Sequence, residues 1–280
     1  MRKLKIVTDS SSTMDPLLAK ELEISIVPLS VMINGVIYND DETLGGEKFM
    51  ALMAQAKELP KTSQPPIGKF VELYDELGQD GCEILSIHMT KALSGTVDAA
   101  RQASQLSKTK VTVIDSDLTD QSLAFAVIKA AEMAKEGYSL PEVVAEVKKI
   151  LSQSKLYIAV SSLDNLVKGG RISRAKGVLS SFLNMRIVME LRNAELIPIV
   201  KGRGSKTFDK WFVDFQNEIR QISNIQQVGI SYAGAATQAQ KFKDELKKNF
   251  PQLPVTMYHT TPIIATHTGE GAFAVMYYFE

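Results

Sequence analysis

One cysteine, one tryptophan and three histidines stand in 280 residues, and each scarcity removes a class of protein. A lone Cys82 forbids an internal disulfide and fits a reducing compartment; its ordinary role is a small buried residue opening a strand. Scattered histidines with one cysteine give none of the ligand spacings of a zinc site, so no metal is expected. Net charge is missing too, since 32 basic residues balance 32 acidic ones. That balance argues against nucleic acid as a partner and leaves at most transient membrane contact, although a local basic patch survives such a sum. No apolar run approaches the ~20 residues of a membrane span. The basic start Met1-Arg2-Lys3 leads into a strand rather than a signal-peptide core, and a cytoplasmic location is the expectation.

What is present is ordinary globular material, 45% apolar and 23% charged, long enough for one large or two medium domains. Leu4–Val7 predicts a strand followed by Asp9-Ser10, and Asp15-Pro16 opens a helix through Leu22. Ile24–Ile33 is rich in β-branched residues, and Asn34-Gly35 before Val36-Ile37-Tyr38 is a hairpin signal. Gly46–Ala56 reads as helix, Pro60–Pro66 as an extended loop, and Ile67–Gln79 as helix again. Strands at Glu83–His88 and Val111–Ile114, the second also ending in Asp-Ser, alternate with helices through Ser152. That alternation predicts an α/β protein whose N-terminal domain, residues 1–155, is a parallel three-layer sheet. Residues 156–280 predict a mixed sheet with helices, including a helix over Ser173–Leu183 and a hairpin about Asn193-Ala194-Glu195.

Two polar stretches stand out for chemistry. Ser94-Gly95-Thr96 lies where a strand ends and a helix begins, a place where N–H groups and the helix dipole favour an anion. On its own the stretch reads better as a helix cap, with Ser94 or Thr96 as the capping residue. Thr260–Gly271 sets His267 among hydroxyls and glycines, where an imidazole can bond a carboxylate or phosphate or simply brace a turn. His88 and His259 lie on apolar strands and read as satisfied core residues. Asp40-Asp41-Glu42 reads as a solvated acidic loop. Lys201-Gly202-Arg203-Gly204 lacks the Walker ending, which leaves a basic turn that either is solvated or meets an anionic group or partner; Gly169-Gly170-Arg171 carries the same ambiguity with a helix stop. The apolar Val178–Met189 stretch is either core or cavity wall. A serine-hydrolase elbow is absent, because the first glycine of G-x-S-x-G is missing before Ser94.

Taken in order, Val7-Thr8-Asp9-Ser10, Lys61-Thr62-Ser63-Gln64-Pro65, Leu93-Ser94-Gly95-Thr96, Gly169-Gly170-Arg171-Ile172 and Thr261-Pro262-Ile263 with His267-Thr268-Gly269 resemble the DegV family across essentially the whole chain. That family is similar in fold to the dihydroxyacetone-binding part of dihydroxyacetone kinases, and it includes the fatty-acid-binding subunit of bacterial fatty acid kinase. The resemblance implies that Thr62, Ser94 and His267 hold the carboxylate of a long-chain fatty acid, with the acyl chain in an apolar tunnel contributed by the C-terminal domain. It also implies a protein that is not itself an enzyme and has no cofactor beyond its bound fatty acid. A partner kinase subunit would supply ATP, and a downstream acyltransferase would take the acyl phosphate into phospholipid synthesis. Arg171, Lys201 and Arg203 would touch the kinase or the phosphate. The alternative is a stand-alone small-molecule phosphotransferase or hydrolase that uses Ser94 and His267.

Overall fold

The opening strand β1 (Leu4–Asp9) is apolar at Leu4, Ile6 and Val7 and buried everywhere but at Lys5, as a central parallel strand covered on both faces requires. The computed structural model describes residues 4–172, 185–204 and 206–280. After β1 come α1 (Pro16–Glu21), capped by Asp15, then β2 (Ser25–Val27), β3 (Ser30–Ile33) and β4 (Val36–Asn39). Asn34 and Gly35 take positive φ of 49° and 85°, the conformation a two-residue hairpin turn requires. There follow α2 (Gly46–Ala54), β5 (Lys61–Ser63), α3 (Ile67–Leu77), β6 (Glu83–His88), α4 (Thr96–Leu106), β7 (Val111–Asp115), α5 (Asp120–Glu136) and α6 (Leu140–Ser152). The second half runs β8 (Ser154–Val160), α7 (Asp164–Lys168), β9 (Arg186–Arg192), β10 (Glu195–Gly202), α8 (Lys206–Arg220) and β11 (Ile225–Tyr232). It ends with α9 (Thr237–Asn249), β12 (Val255–His259), α10 (Pro262–Thr268) and β13 (Phe273–Phe279).

The first half builds the expected all-parallel sheet, in the order β2-β1-β6-β7. The second builds the expected mixed sheet, β10-β9-β8-β13-β11-β12, antiparallel except where β11 meets β12. A third, small antiparallel sheet, β4-β3-β5, was not expected as such. Its β5 lies inside the stretch read as a loop. The prolines at 60, 65 and 66 flank Lys61-Thr62-Ser63 without entering it, so those three residues are free to pair with β3 along an edge. The expected helix Ser173–Leu183 lies outside the described residues, as does most of the Val178–Met189 stretch; Ile187, Val188 and Met189 are core residues of β9.

Helix α5 explains how the two sheets are joined. Leu123, Ala124, Phe125, Ala126, Val127, Ala130, Ala131 and Ala134 are buried around its whole circumference, which marks a helix enclosed on all sides. It lies against β1 and β6 of the parallel sheet and against β8, β11 and β13 of the mixed one, with α6 beside it. Alanine lets the sheets approach closely, and the core runs without a break from Ile6 and Leu85 to Leu156 and Met276. α3 and α4 cover the far face of the parallel sheet. α8 and α9 cover the far face of the mixed sheet with an aromatic core, where Phe212 and Phe242 stack with ring centroids 3.7 Å apart.

The ends of β1 and β6 are tied by a buried polar chain. Asp9 Oδ2 accepts from the Met89 N–H at 3.0 Å and lies 2.9 Å from His88 Nδ1. His88 Nε2 is 2.7 Å from Ser86 Oγ, which is 2.8 Å from the Tyr74 hydroxyl. Burial pushes the Asp9 carboxyl up, but His88, Ser11 and Met89 together hold it below the usual carboxylate range. His88 is thus a satisfied core histidine, and the tie sets where the loops after β1 and β6 begin. Replacing His88 by Phe leaves the Asp9 carboxylate short of a partner, and we expect a loss of about 3 kcal/mol in urea unfolding. A loss below ~1 kcal/mol would mean that the chain is not a structural tie.

Candidate functional site

Segments distant in sequence end at one cavity. β5 brings Thr62, the loop into α4 brings Ser94, the turn after α7 brings Arg171, and the last turn of α10 brings His267. The cavity has a volume of about 60 Å³, and its other walls are largely hydrocarbon, among them Leu29, Met89, Leu93, Ile158, Leu166 and Ile263.

Register places Thr62. It pairs with Val31 across the β3–β5 edge, and its Oγ1 lies 2.9 Å from His267 Nε2. His267 rides on α10, which Pro262 opens at its first position and Gly269, at φ 80°, closes; proline before and glycine after is the usual punctuation of a short helix. Asn165 Nδ2 donates to the Thr266 carbonyl at 3.0 Å and fixes the end of that helix. The imidazole lies directly on Gly169, where a Cβ would fall 2.2 Å from His267 Nδ1. Gly169-Gly170 is therefore more than a helix stop. Gly170, at φ 74°, turns the chain, while Gly169 makes room for the ring.

Ser94 Oγ lies 2.8 Å from Thr96 Oγ1 and accepts from the Thr96 N–H at 3.4 Å. Gly95 is bare because the Gln64 side chain crosses it; a Cβ would meet Gln64 Oε1 at 2.1 Å. Arg171 braces this side. Its Nε donates to the Leu93 carbonyl at 3.0 Å and its Nη1 to the Gly169 carbonyl at 2.7 Å, joining the Ser94 loop to the glycine under His267. Burial lowers the guanidinium pKa from its ordinary value. Burial, then the Arg171 charge, push His267 down to about 4, so near neutral pH the imidazole is uncharged. Its Nδ1 is buried with no hydrogen-bond partner.

Asp40, read from the sequence as part of a solvated loop, is 4% exposed. The hairpin register explains this, because Ser30 opposite Asn39 puts Asp40 across from Leu29, whose carbonyl accepts the Asp40 N–H at 2.8 Å. Asp40 Oδ2 accepts from Ser10 Oγ at 2.6 Å, and the backbone N–H of Ile263 at the start of α10 is near enough to pull the carboxyl pKa down, although Oδ1 has no hydrogen-bond partner. The carboxyl thus sits beside the start of the helix that carries His267. Burial raises its pKa to about 7, against the pull of Ser10 and Ile263 and with help from Asp9 and Asp41. Lys201 and Arg203 do not line the cavity; they lie exposed at the end of edge strand β10 and in the turn after it.

Chemically the site offers hydroxyls, a neutral imidazole and a guanidinium set among hydrocarbon walls, which suits an amphipathic acid. The bond between nucleophile and base that a Ser94–His267 enzyme requires is not formed, because Ser94 is engaged with Thr96 and His267 with Thr62. Among the described residues no group of three or more His, Cys, Asp or Glu is placed to hold a metal ion, and no helix is long and apolar enough to cross a membrane.

The family model for uncharacterised proteins of the DegV family matches residues 3–280. The chain belongs to the DegV family. A DegV domain-containing protein of Streptococcus pneumoniae is 49% identical over 276 residues, 99% of this chain and 98% of the relative. The DegV domain-containing protein YejH of Lactococcus lactis is 49% identical over 278 residues, 99% of each. Among solved structures, DegV of Bacillus subtilis, described as a fatty acid binding protein, superposes with a TM-score of 0.92 at 28% identity over 100% of both chains. A Thermus thermophilus DegV family protein whose structure is described for its fatty acid binding gives 0.89 at 28% identity, again over 100% of both.

Two positions in this DegV chain test the geometry. Gly169→Ala sets a methyl against both His267 and the Asn165 carbonyl, so it should break the Thr62–His267 bond and cost about 1–3 kcal/mol in thermal unfolding. A crystal structure with the ring unmoved would contradict this. The folded protein keeps a proton on Asp40 up to about pH 7, whereas an unfolded carboxyl releases it near 3.8. The stability this carboxyl contributes is therefore complete below pH 3.8 and is lost as pH rises toward 7. Asp40→Asn cannot ionise, so it should gain on the parent by roughly 2–4 kcal/mol between pH 4 and 8 in denaturant titrations. A difference that stays flat with pH would contradict the burial of an acid here.

Proposed function

We propose that this protein carries a long-chain fatty acid and presents its carboxylate to a partner ATP-dependent kinase, which converts it to an acyl phosphate. The observation that carries the proposal is the meeting of Thr62, Ser94 and His267 on one apolar cavity. The fatty acid binding described for the Bacillus subtilis and Thermus thermophilus relatives supports it.

The energetics divide the work. Burying ~15 methylenes at ~0.8 kcal/mol each amounts to roughly 12 kcal/mol of gross transfer energy. A hydrogen bond to a charged group contributes ~1.5–3 kcal/mol net. The hydrocarbon walls therefore supply affinity, and the polar groups decide where the carboxylate stops. With its proton on Nε2, His267 donates to Thr62 Oγ1 and leaves the Thr62 hydroxyl to donate to the carboxylate. Ser94 donates from the start of α4. A carboxylate removed from water needs such partners. Arg171 lies close enough to neutralise the acid or its phosphate, while Lys201 and Arg203 serve as contacts for the kinase. No step of chemistry falls to this chain; the kinase subunit supplies ATP, and an acyltransferase of cytoplasmic phospholipid synthesis consumes the product.

Native mass spectrometry of the protein purified from cells should find a fatty acid bound. In assays with the purified kinase, Ser94→Ala and His267→Ala should retain lipid affinity within about tenfold, since each removes one bond and none of the walls. Phosphate transfer should fall by more than tenfold in both. Wild-type transfer in both variants would remove the headgroup assignment, and a purified protein that neither contains nor takes up fatty acid would remove the function.

A further inference from the structure

Behind the main cavity lies a second, smaller one of about 20 Å³, enough for roughly one water-sized group. The two share Thr119, Ile158, Ile264 and Thr268 as walls, so the inner space continues the outer one away from Ser94 and Arg171. Phe273, Leu156 and Ala274 make part of the inner wall as hydrocarbon. The remainder is not what the far end of an acyl tunnel calls for. Thr119, Asp120, Ser231 and Thr260 also line it, and each is buried to 4% exposure or less.

Most of these polar groups are accounted for. Ser231 Oγ donates to Asp120 Oδ1 at 2.7 Å, the Gln121 N–H donates to the same oxygen at 2.9 Å, and Thr260 Oγ1 donates to Asp120 Oδ2 at 3.2 Å. Burial raises the pKa of Asp120 and favours its protonated form, which has a hydrogen to donate. Thr119 is different. Its Oγ1 is buried without any hydrogen-bond partner, although Thr119 lines both cavities. A buried hydroxyl with no partner is destabilising; of those among the described residues (Thr8, Ser12, Thr13, Thr119 and Thr261) only Thr119 lines either cavity, and a hydrocarbon chain passing it offers no partner.

We propose that the inner cavity is an oxygen-binding subsite, and that it selects long-chain acids carrying a hydroxyl part-way along the chain. This rests on the fatty-acid reading of the outer cavity and adds a second recognition point to it. With the carboxylate held near Thr62, Ser94 and His267, the substituent reaches Thr119 Oγ1 with Asp120 behind it. Only one stretch of chain positions satisfies both ends. A purely apolar tunnel would reject every hydroxylated isomer, since each would bury an unpaired hydroxyl.

The test is displacement of a bound fluorescent fatty acid by stearic acid and by a positional series of monohydroxystearic acids. The expected result is one position, or two adjacent ones, bound at least as tightly as stearic acid, with the other isomers ten- to a hundredfold weaker. Thr119→Val should reduce the favoured isomer's affinity relative to stearic acid by about tenfold, and Thr119→Ser should restore it. A uniform penalty across the series in the wild-type protein would overturn the subsite even if Thr119→Val did not fold. A preference that survives Thr119→Val would overturn it as well. Failure of stearic acid and every isomer to bind would instead remove the fatty-acid reading on which the subsite rests.

Discussion

A contact of 2.9 Å between Thr62 Oγ1 and His267 Nε2 joins residues 205 apart in sequence, and the site takes its shape from it. One partner is carried by a three-residue edge strand and the other by a seven-residue helix. Neither element would persist alone, because segments so short bury too little to offset the entropy of ordering them. Each is held by something larger. β5 is held by its pairing to β3, and α10 by the bond from Asn165 to its last turn. Gly169, in turn, leaves the ring no obstacle. The bond is less a stabilising interaction than a measure of whether all of these supports are in place.

Two groups of buried polar side chains sit where strands end. The Asp9–His88–Ser86–Tyr74 chain fixes the ends of β1 and β6, and the Asp120–Ser231–Thr260 group joins α5 to the mixed sheet. The outer cavity is lined by Met89, whose N–H the first group holds, and the inner cavity by the second group itself. A low-dielectric surrounding makes each donor count for more and each unpaired atom cost more, so positions are sharply defined. It also explains why His267 is neutral and Asp40 raised: burial is the leading cause in both. A neutral imidazole can donate from one nitrogen while bringing no charge of its own to the site.

Much of this was legible in the sequence where residues act locally. β-branched runs marked the strands, Asn34-Gly35 and Asn193-Ala194 marked hairpins through their positive φ, and the Asp-Ser ends of β1 and β7 marked a common sheet edge. Ser94 and His267 stood out by pattern and Thr62 by family likeness alone, and the fold brings all three to one cavity. What escaped was set by distant contacts. β5 is too short and too closely flanked by proline for periodicity to mark it. α10 is so rich in threonine that it reads as a turn, although Pro262 and Gly269 bracket it. Asp40 sits in an acidic run, and only extending the hairpin register to Leu29 reveals that it points inward. Gly169 resembles any helix stop until the ring above it is known.

The central claim is that donors at the cavity mouth hold the acid end of a fatty acid as a carboxylate. It is tested most directly by titrating the protein bound to a fatty acid carrying carbon-13 at its carboxyl, with pH followed by NMR. The account predicts a bound resonance distinct from that of the free acid, titrating below the ordinary carboxylate range because the hydroxyls and Arg171 favour the ionised form. Replacing Ser94 by Ala should move it back toward the free value. A bound carboxyl that titrates as it does in water, or one pushed upward as an unpartnered buried acid would be, would contradict it.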